Sequence, residues 1–461
     1  MILHGQMKTV TAIESRMTKS KMIMRRIFNA STTLAPINNL PLEVLSRIFM
    51  ILVSSARCTA DYPCDSYPPI VIAAVCSRRR HPAIITRSFW SHVDICELDM
   101  TSDSDPELTP RTRLCLERAR DAPLWLHISK PRGSWGTGSE TLLLSLLTPY
   151  MTNVESMRFS GILSETCFHT TLSLYANRCS PRQLKSLLVE LWLTTEASAT
   201  GRLIWPTRTL HGITDLQSIG LAERISPSMN ELVSMLLNSP NLRTLRLRNV
   251  HLSTDANEIY PKISVPALCF LELSLSQNQA LSNLLSALIP GSHELELLLE
   301  LPTSANDNLP NQITSFLERA NVVCLGLKNL PADTGAVQLA RYLNCTPRIR
   351  ILGLNCSNDK FGASLNALTM DVEGDEVVAR CPSLRLLCIM EWKMDSLAQL
   401  KRTVRCHHLS TVVLGDRVGI LGQTYDATLD ILRKWPGAKN VVRTRSQFFK
   451  YFVDRYWVPC L

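Results

Sequence analysis

Leu242-Arg243-Thr244-Leu245-Arg246-Leu247 returns as Leu268-Cys269-Phe270-Leu271-Glu272-Leu273, as Ile349-Arg350-Ile351-Leu352-Gly353-Leu354 and as Leu384-Arg385-Leu386-Leu387-Cys388-Ile389. Each copy is apolar at its first, fourth and sixth positions. The same pattern starts at Val154, Leu184, Leu216, Leu295, Val322 and Leu409, and from Leu216 to Ile349 successive starts lie 26 or 27 residues apart. A fixed period of that length marks one supersecondary unit repeated along the chain.

Between the copies, Leu232, Met235 and Leu236, then Leu281, Leu284, Leu285 and Leu288, then Ile313, Phe316 and Leu317, then Leu397, Leu400 and Val404 recur at helical spacing. Pro181, Pro240, Pro290, Pro347 and Pro382 precede the next apolar copy. Proline cannot extend a helix and pushes its predecessor toward extended backbone, so helix ends and strand begins there. Each unit is therefore one strand and one helix, and the fold class is α/β. A single unit cannot cover its own apolar face, whereas a stack of parallel strands with helices outside buries a continuous core.

Working outward, residues 36–95 form a different region. Leu42, Leu45, Ile48, Phe49 and Leu52 follow Pro41 at intervals that place one apolar stripe on a helix. A turn-rich segment from Cys58 to Pro69 precedes a second apolar run, Ile70 to Cys76, and then Ser77-Arg78-Arg79-Arg80. Three short helices are expected. Pro82 falls in the third, and an interior proline costs about 3 kcal/mol or more, so that helix is expected to be kinked or shortened.

Leu40-Pro41-x-Glu43-Val44-Leu45-x-x-Ile48-Phe49, Val75-Cys76-Ser77-Arg78-x-Arg80 and Phe89-Trp90-Ser91-His92-Val93 resemble the F-box. The chain is most similar there to the F-box-like proteins of mushroom-forming fungi. It departs from the family's pattern at Arg79, Pro82 and Arg87. The resemblance implies a substrate-recognition subunit that docks on a Skp-type adaptor, and through it a cullin, of an E3 ubiquitin ligase. It assigns adaptor contact to Leu40, Pro41, Val44, Leu45 and Ile48. The repeats in turn resemble a leucine-rich-repeat solenoid, although the ninth repeat position, usually Asn or Cys, holds Val250, Ser276, Thr303, Leu330 and Ser357. An alternative is a non-ligase interaction scaffold whose degenerate F-box packs on the solenoid.

Alternation along the strands predicts which side chains a target would meet. If Leu242, Leu245 and Leu247 point inward, Thr244 and Arg246 face the other way. The same count puts Phe270, Leu297, Leu299, Ile351 and Leu386 on that second face, which is basic at Arg246 and Arg248 and apolar from Phe270 onward. An apolar sheet face needs cover. Either the aromatic C-terminal segment Phe448 to Trp457 folds over it, or Arg246, Arg248, Phe270, Leu297, Leu299, Ile351 and Leu386 bind an apolar target segment, the arginines drawing its acidic flanks.

The expected organisation is a basic lead-in over 1–35, the F-box-like module over 36–95, a connecting segment with a helix from Pro110 through Ala119 and a first strand-helix unit over 96–150, repeats over 151–440 and an aromatic, basic cap over 441–461. The fifteen cysteines of the 461-residue chain are odd in number and scattered singly, several of them in apolar runs such as Val323-Cys324-Leu325, which suits a reducing cytoplasmic or nuclear compartment. The net charge of +9 is spread thinly apart from Lys8, Arg16, Lys19, Lys21, Arg25 and Arg26 near the start. These could read as a mitochondrial presequence or a nucleic-acid arm but lack serine-rich spacing and an arginine-rich amphipathic face. No run nears the ~18 apolar residues that cross a bilayer, so neither nucleic acid nor membrane is an expected partner. No Gly-x-Ser-x-Gly, Walker-type or His-Glu-x-x-His motif occurs, and Cys406-His407-His408 places adjacent side chains apart. No enzymatic activity, metal or cofactor is expected.

Overall fold

The computed structural model describes residues 2–31, 33, 36–55, 68–75, 77–96, 110–130, 139–161, 165–191, 204–221, 223–254, 258–302, 308–331, 334–355, 363–371, 377–390, 393–394, 398–415, 419–420 and 440–444. The expected C-terminal cap at Phe448 to Trp457, the segment Glu97 to Thr109, and the side chains of Arg78 and Arg79 lie outside the described set. The chain divides into two compact units, Met1–Ser164 and Glu165–Leu461.

The first unit opens with α1 (Ile2–Ala30), α2 (Leu42–Ser55), α3 (Pro68–Val75) and α4 (Ser77–Ile85). It continues through β1 (His92–Cys96), α5 (Pro110–Ala119), β2 (Leu124–Lys130), α6 (Ser139–Leu147) and β3 (Val154–Gly161). The expected helix over Pro110–Ala119 is α5. Parallel strands need a crossover, and α5 and α6 supply it between β1, β2 and β3. Val93, Leu126 and Met157 share one register row and Ile95, Ile128 and Phe159 the next, all buried. α4 extends through Pro82 to Ile85, so the proline stands inside the helix without ending it.

The second unit begins α7 (Glu165–Arg178), β4 (Ser186–Leu191), β5 (Asp215–Ile219), α8 (Met229–Leu237), β6 (Thr244–Val250) and β7 (Ile263–Val265). β8 (Phe270–Leu275), α9 (Asn278–Ala287), β9 (Leu288–Pro290), β10 (Leu295–Glu300), α10 (Leu309–Arg319), β11 (Val322–Lys328), α11 (Gly335–Cys345) and β12 (Ile351–Asn355) follow. It closes with α12 (Ala363–Asn366), β13 (Thr369–Asp371), β14 (Val377–Ala379), β15 (Leu386–Met390), β16 (Lys393–Met394), α13 (Ala398–His407), β17 (Thr411–Gly415), β18 (Gly419–Ile420) and β19 (Asn440–Thr444).

A parallel sheet orders β4-β5-β6-β8-β10-β11-β12-β15-β17-β19, so spatial order follows chain order. Leu216, Leu245, Leu271, Leu297, Leu325, Leu352 and Leu387 stand in one register row, all buried. The helices are built to bury one side. α8, for example, is started by a capping box in which Ser228 Oγ accepts from the Glu231 amide at 3.1 Å and Glu231 Oε2 accepts from the Ser228 amide at 2.7 Å, and it buries Leu232, Val233, Met235 and Leu236. Cys324, Cys381 and Cys388 are buried free thiols in this unit.

Register corrects the expected row in two places. Counting from Leu216 as a first position sets Ser218 beside Thr244 and Gly220 beside Arg246, but Leu216 pairs with Leu245, the fourth position of its copy, so Gln217 and not Gly220 continues the row of Arg246, and Ser218 pairs with Leu247 on the inward face. On β10, Leu297 pairs with Leu271 and Leu325, and Leu299 with Leu273 and Leu327, while Leu298 pairs with Glu272 and Gly326. Leu297 and Leu299 are therefore core residues on the inward face, and Glu296 and Leu298 occupy the second face. The physical reason is local: Leu295-Glu296-Leu297-Leu298-Leu299-Glu300-Leu301 offers leucine in both phases, and a one-residue slip exchanges the faces. The register shift between Leu295 and Glu296 in the pairing with β11 is where the slip is taken up.

Candidate docking surfaces

Among the described residues, α2 is anchored through Leu45 and Phe49. Both are buried, and the Phe49 ring meets Phe89 edge to face with centroids 6.3 Å apart. Phe89 and Trp90 are themselves buried, and Trp90 Nε1 donates to the Ala83 carbonyl of α4 at 2.6 Å. The Arg118 guanidinium of α5 lies 4.4 Å from the Trp90 ring. Two aromatic residues thus hold α2 and α4 against the start of the strand layer.

The opposite side of α2 carries Val44, Ile48 and Ile51, spaced by four and then three residues and so on one helical face. Val44 is 43% and Ile51 60% exposed, with Leu42, Leu52, Val71, Ile84 and Ile85 also exposed around them. Of the five residues the sequence assigned to an adaptor, Pro41 and Val44 are exposed and Leu40 and Ile48 half-buried. Leu45 is corrected: it is 1% exposed and belongs to the core under the helix. Ile51, Ile84 and Ile85 are additions. Ile51 was within reach of helical spacing from Val44, but the approach of α4 was not.

No protein family matches this chain, and no curated protein does. The reading of its surfaces therefore rests on their geometry.

The second face of the sheet in the Glu165–Leu461 unit is polar at Gln217, Arg246 and Glu272 and again along the row Ser274, Glu300, Lys328 and Asn355, with an apolar layer from Phe270 to Val413 beside it. Glu272 is fully buried and sits between two arginines, Arg246 Nε at 2.7 Å from Oε2 and Arg248 Nε donating to Oε1 at 2.6 Å. Arg246 Nη1 donates to Gln217 Oε1 at 3.2 Å, and its guanidinium lies 5.0 Å from the Phe270 ring. These two cations are committed to an internal carboxylate, which corrects their expected role as an open basic spot. Further along, Glu300 accepts from Ser274 Oγ at 2.7 Å and from Asn329 Nδ2 at 3.2 Å, and is paired with Lys328.

The apolar part is equally closed. Phe270, Leu298, Cys324, Leu386, Cys388, Met390 and Val413 form one buried cluster, with Ile351 and Val442 half-buried against it. Phe270 is 2% and Leu386 8% exposed. An open groove needs exposed walls, so the expected target groove on Phe270, Ile351 and Leu386 is corrected to an interior layer. Burial raises the Cys324 and Cys388 thiols above their ordinary range and lifts the Glu296 carboxyl beside them.

In the first unit three strands bring together residues that sequence left apart. His127 Nδ1 is 3.0 Å from Asp94 Oδ1, and His127 Nε2 is 2.7 Å from Ser160 Oγ. A carboxylate only accepts, so Nδ1 carries the proton and Nε2 accepts from the Ser160 hydroxyl. Burial holds the His127 imidazole below its ordinary 6.5, the Asp94 hydrogen bond opposing this. The connectivity is that of a base-activated serine, but a nucleophile must meet its substrate and Ser160 is 1% exposed. Its evident work is to satisfy buried polar groups on β1, β2 and β3.

Proposed function

We propose that the chain is a target-recognition subunit of a Skp/cullin-type ubiquitin ligase, with α2–α4 acting as an F-box that docks the adaptor and the strand-helix units acting as a leucine-rich-repeat-like solenoid that presents the target surface. The observation that carries the reading is α2. One side of it is fixed by Phe49, Phe89 and Trp90, and another carries an apolar stripe in which Val44 and Ile51 are exposed and Ile48 half-buried. A three-helix segment that exposes such a stripe is incomplete without a partner. Specific interfaces bury about 1,200–2,000 Å², with a few central apolar anchors dominating, and the surface around Val44 and Ile51 has the composition for such anchors. The ligase chemistry would reside in partner chains, in the cytoplasm or nucleus. The buried row from Phe270 to Leu386 is not the target groove in this reading.

Co-expression with a Skp-type adaptor tests it. The full chain is expected to elute with the adaptor, and Val44→Asp with Ile51→Asp to elute alone at an unchanged melting temperature. A wild-type chain that elutes apart from the adaptor removes the ligase reading.

A further inference from the structure

Between Val10 and Phe28 every side chain of α1 is exposed. Such a helix would ordinarily be polar all round. This one is not. Six of its exposed large apolar side chains, Val10, Ile13, Met17, Met24, Ile27 and Phe28, follow at steps of three, four, seven, three and one, which keeps them on one side, with Met22 and Ile23 off that side, and Met17 and Met24 are each 68% exposed. Lys21 and Arg25 border that stripe along one edge and Arg16 along the other, while Lys19 and Arg26 lie opposite, with Glu14 the single acidic residue of the helix. The stripe spans 19 residues from Val10 to Phe28, about 27 Å at the helical rise.

We propose that α1 is an interfacial anchor that lies flat on an anionic phospholipid surface, its apolar stripe in the acyl boundary and its bordering cations among the headgroups. No helix among the described residues is long and apolar enough to cross a membrane. Crossing and lying on a bilayer are different demands: the first needs apolar residues all round, the second needs one apolar side, low overall hydrophobicity and a cationic polar side. Sequence alone suggests a helical lead-in here, without an arginine-rich amphipathic face; the helix shows which of its apolar and basic residues share a side. Lys21 and Arg25 at the edge of the stripe can run their aliphatic stems along it and keep their charges at headgroup level.

Other occupants satisfy only part of these features. A nucleic acid would engage the cations through phosphates and leave six large apolar side chains in water. A protein groove takes a short set of anchors over two turns, whereas this stripe runs from Val10 to Phe28, about five turns. A second copy of the helix running parallel would bring Lys21 and Arg25 of both copies to one seam, like charge against like. An anionic bilayer answers the length, the apolar side and the cationic border together.

Flotation of the full chain with phosphatidylcholine vesicles, with and without about 30 mol % phosphatidylserine, reads the proposal directly. The chain is expected to float with the anionic vesicles at least about tenfold more than with the neutral ones, and to be released as salt rises. Lys21→Gln with Arg25→Gln should lower the partition about thirtyfold, the factor corresponding to about 1 kcal/mol for each cation removed. Met17→Ser with Met24→Ser should release the chain although every charge is kept. Both pairs are exposed in the folded chain, and both variants should still elute with a Skp-type adaptor if the wild type does. Equal flotation with neutral vesicles, or none with anionic ones, overturns the proposal. So does a Met17→Ser, Met24→Ser variant that floats as the wild type does, since that is adsorption by charge alone. A dimer or a duplex-DNA complex that these methionine substitutions disperse, in a chain that ignores vesicles, assigns the helix elsewhere.

Discussion

Two apolar faces stand out in this protein, and they have opposite fates. The outer side of α2 carries Val44 and Ile51 into solvent, while the second face of the sheet carries Phe270, Leu298, Cys388 and Val413 into a sealed layer. In sequence both are apolar stripes with basic residues nearby. Apolarity states only that a face needs cover. Whether the chain supplies that cover or leaves it to a partner depends on what else reaches the face, and no local pattern holds that information.

Substitutions that treat the two faces alike should separate them. The largest effect is expected at Leu298→Asp, because an unpaired carboxylate in a buried apolar layer is not tolerated as a charge, and soluble folded protein should be lost. If that variant melts as the wild type does, the layer is open and the contrast disappears. Glu272→Ala comes next. It leaves Arg246 and Arg248 facing each other without their anion, and removing one partner of a buried ionic cluster costs about 3–5 kcal/mol, readable as a shift in urea midpoint at constant slope.

A smaller effect is expected from acid. Burial holds folded His127 below 6.5, so the unfolded chain takes up a proton first as pH falls. This group's stabilisation is then complete above about pH 6.5 and declines as the pH drops below it, toward the lower folded value. His127→Gln should flatten that part of the pH profile of the urea midpoint, and an unchanged profile would show that His127 is solvated. The smallest effect belongs to the open face. Val44→Asp with Ile51→Asp should change stability by no more than about 0.5 kcal/mol each, as exposed substitutions do, by the same urea measurement.

The strands were legible because their period was. Leu242, Leu268, Val322, Ile349 and Leu384 each stand at a strand or two residues ahead of one, and α5 has the ends that Pro110 and Ala119 suggested. Legibility failed where the alphabet became degenerate. From Leu295 to Leu301 leucine occupies both phases, so alternation could not choose a face, and only pairing with Leu271 and Leu325 did. It failed again where partners are far apart in sequence. Asp94, His127 and Ser160 meet because parallel strands bring them abreast, and Glu272 meets Arg246 and Arg248 for the same reason. Leu45 shows the limit within one helix: the stripe was correct, but the aromatic wall at Phe89 and Trp90 that splits it into a buried and an open side comes from forty residues further on.

The agreement of spatial order with chain order in the second unit also bears on how it folds. Leu245 finds Leu271, and Leu325 finds Leu352, across a single unit of chain. The entropy of closing a loop grows only with the logarithm of its length, and here the loop to be closed is one unit long wherever folding begins. Adding units to such a chain would multiply closures of one size instead of demanding a longer one, so the search for native contacts should depend on the length of the unit more than on that of the protein.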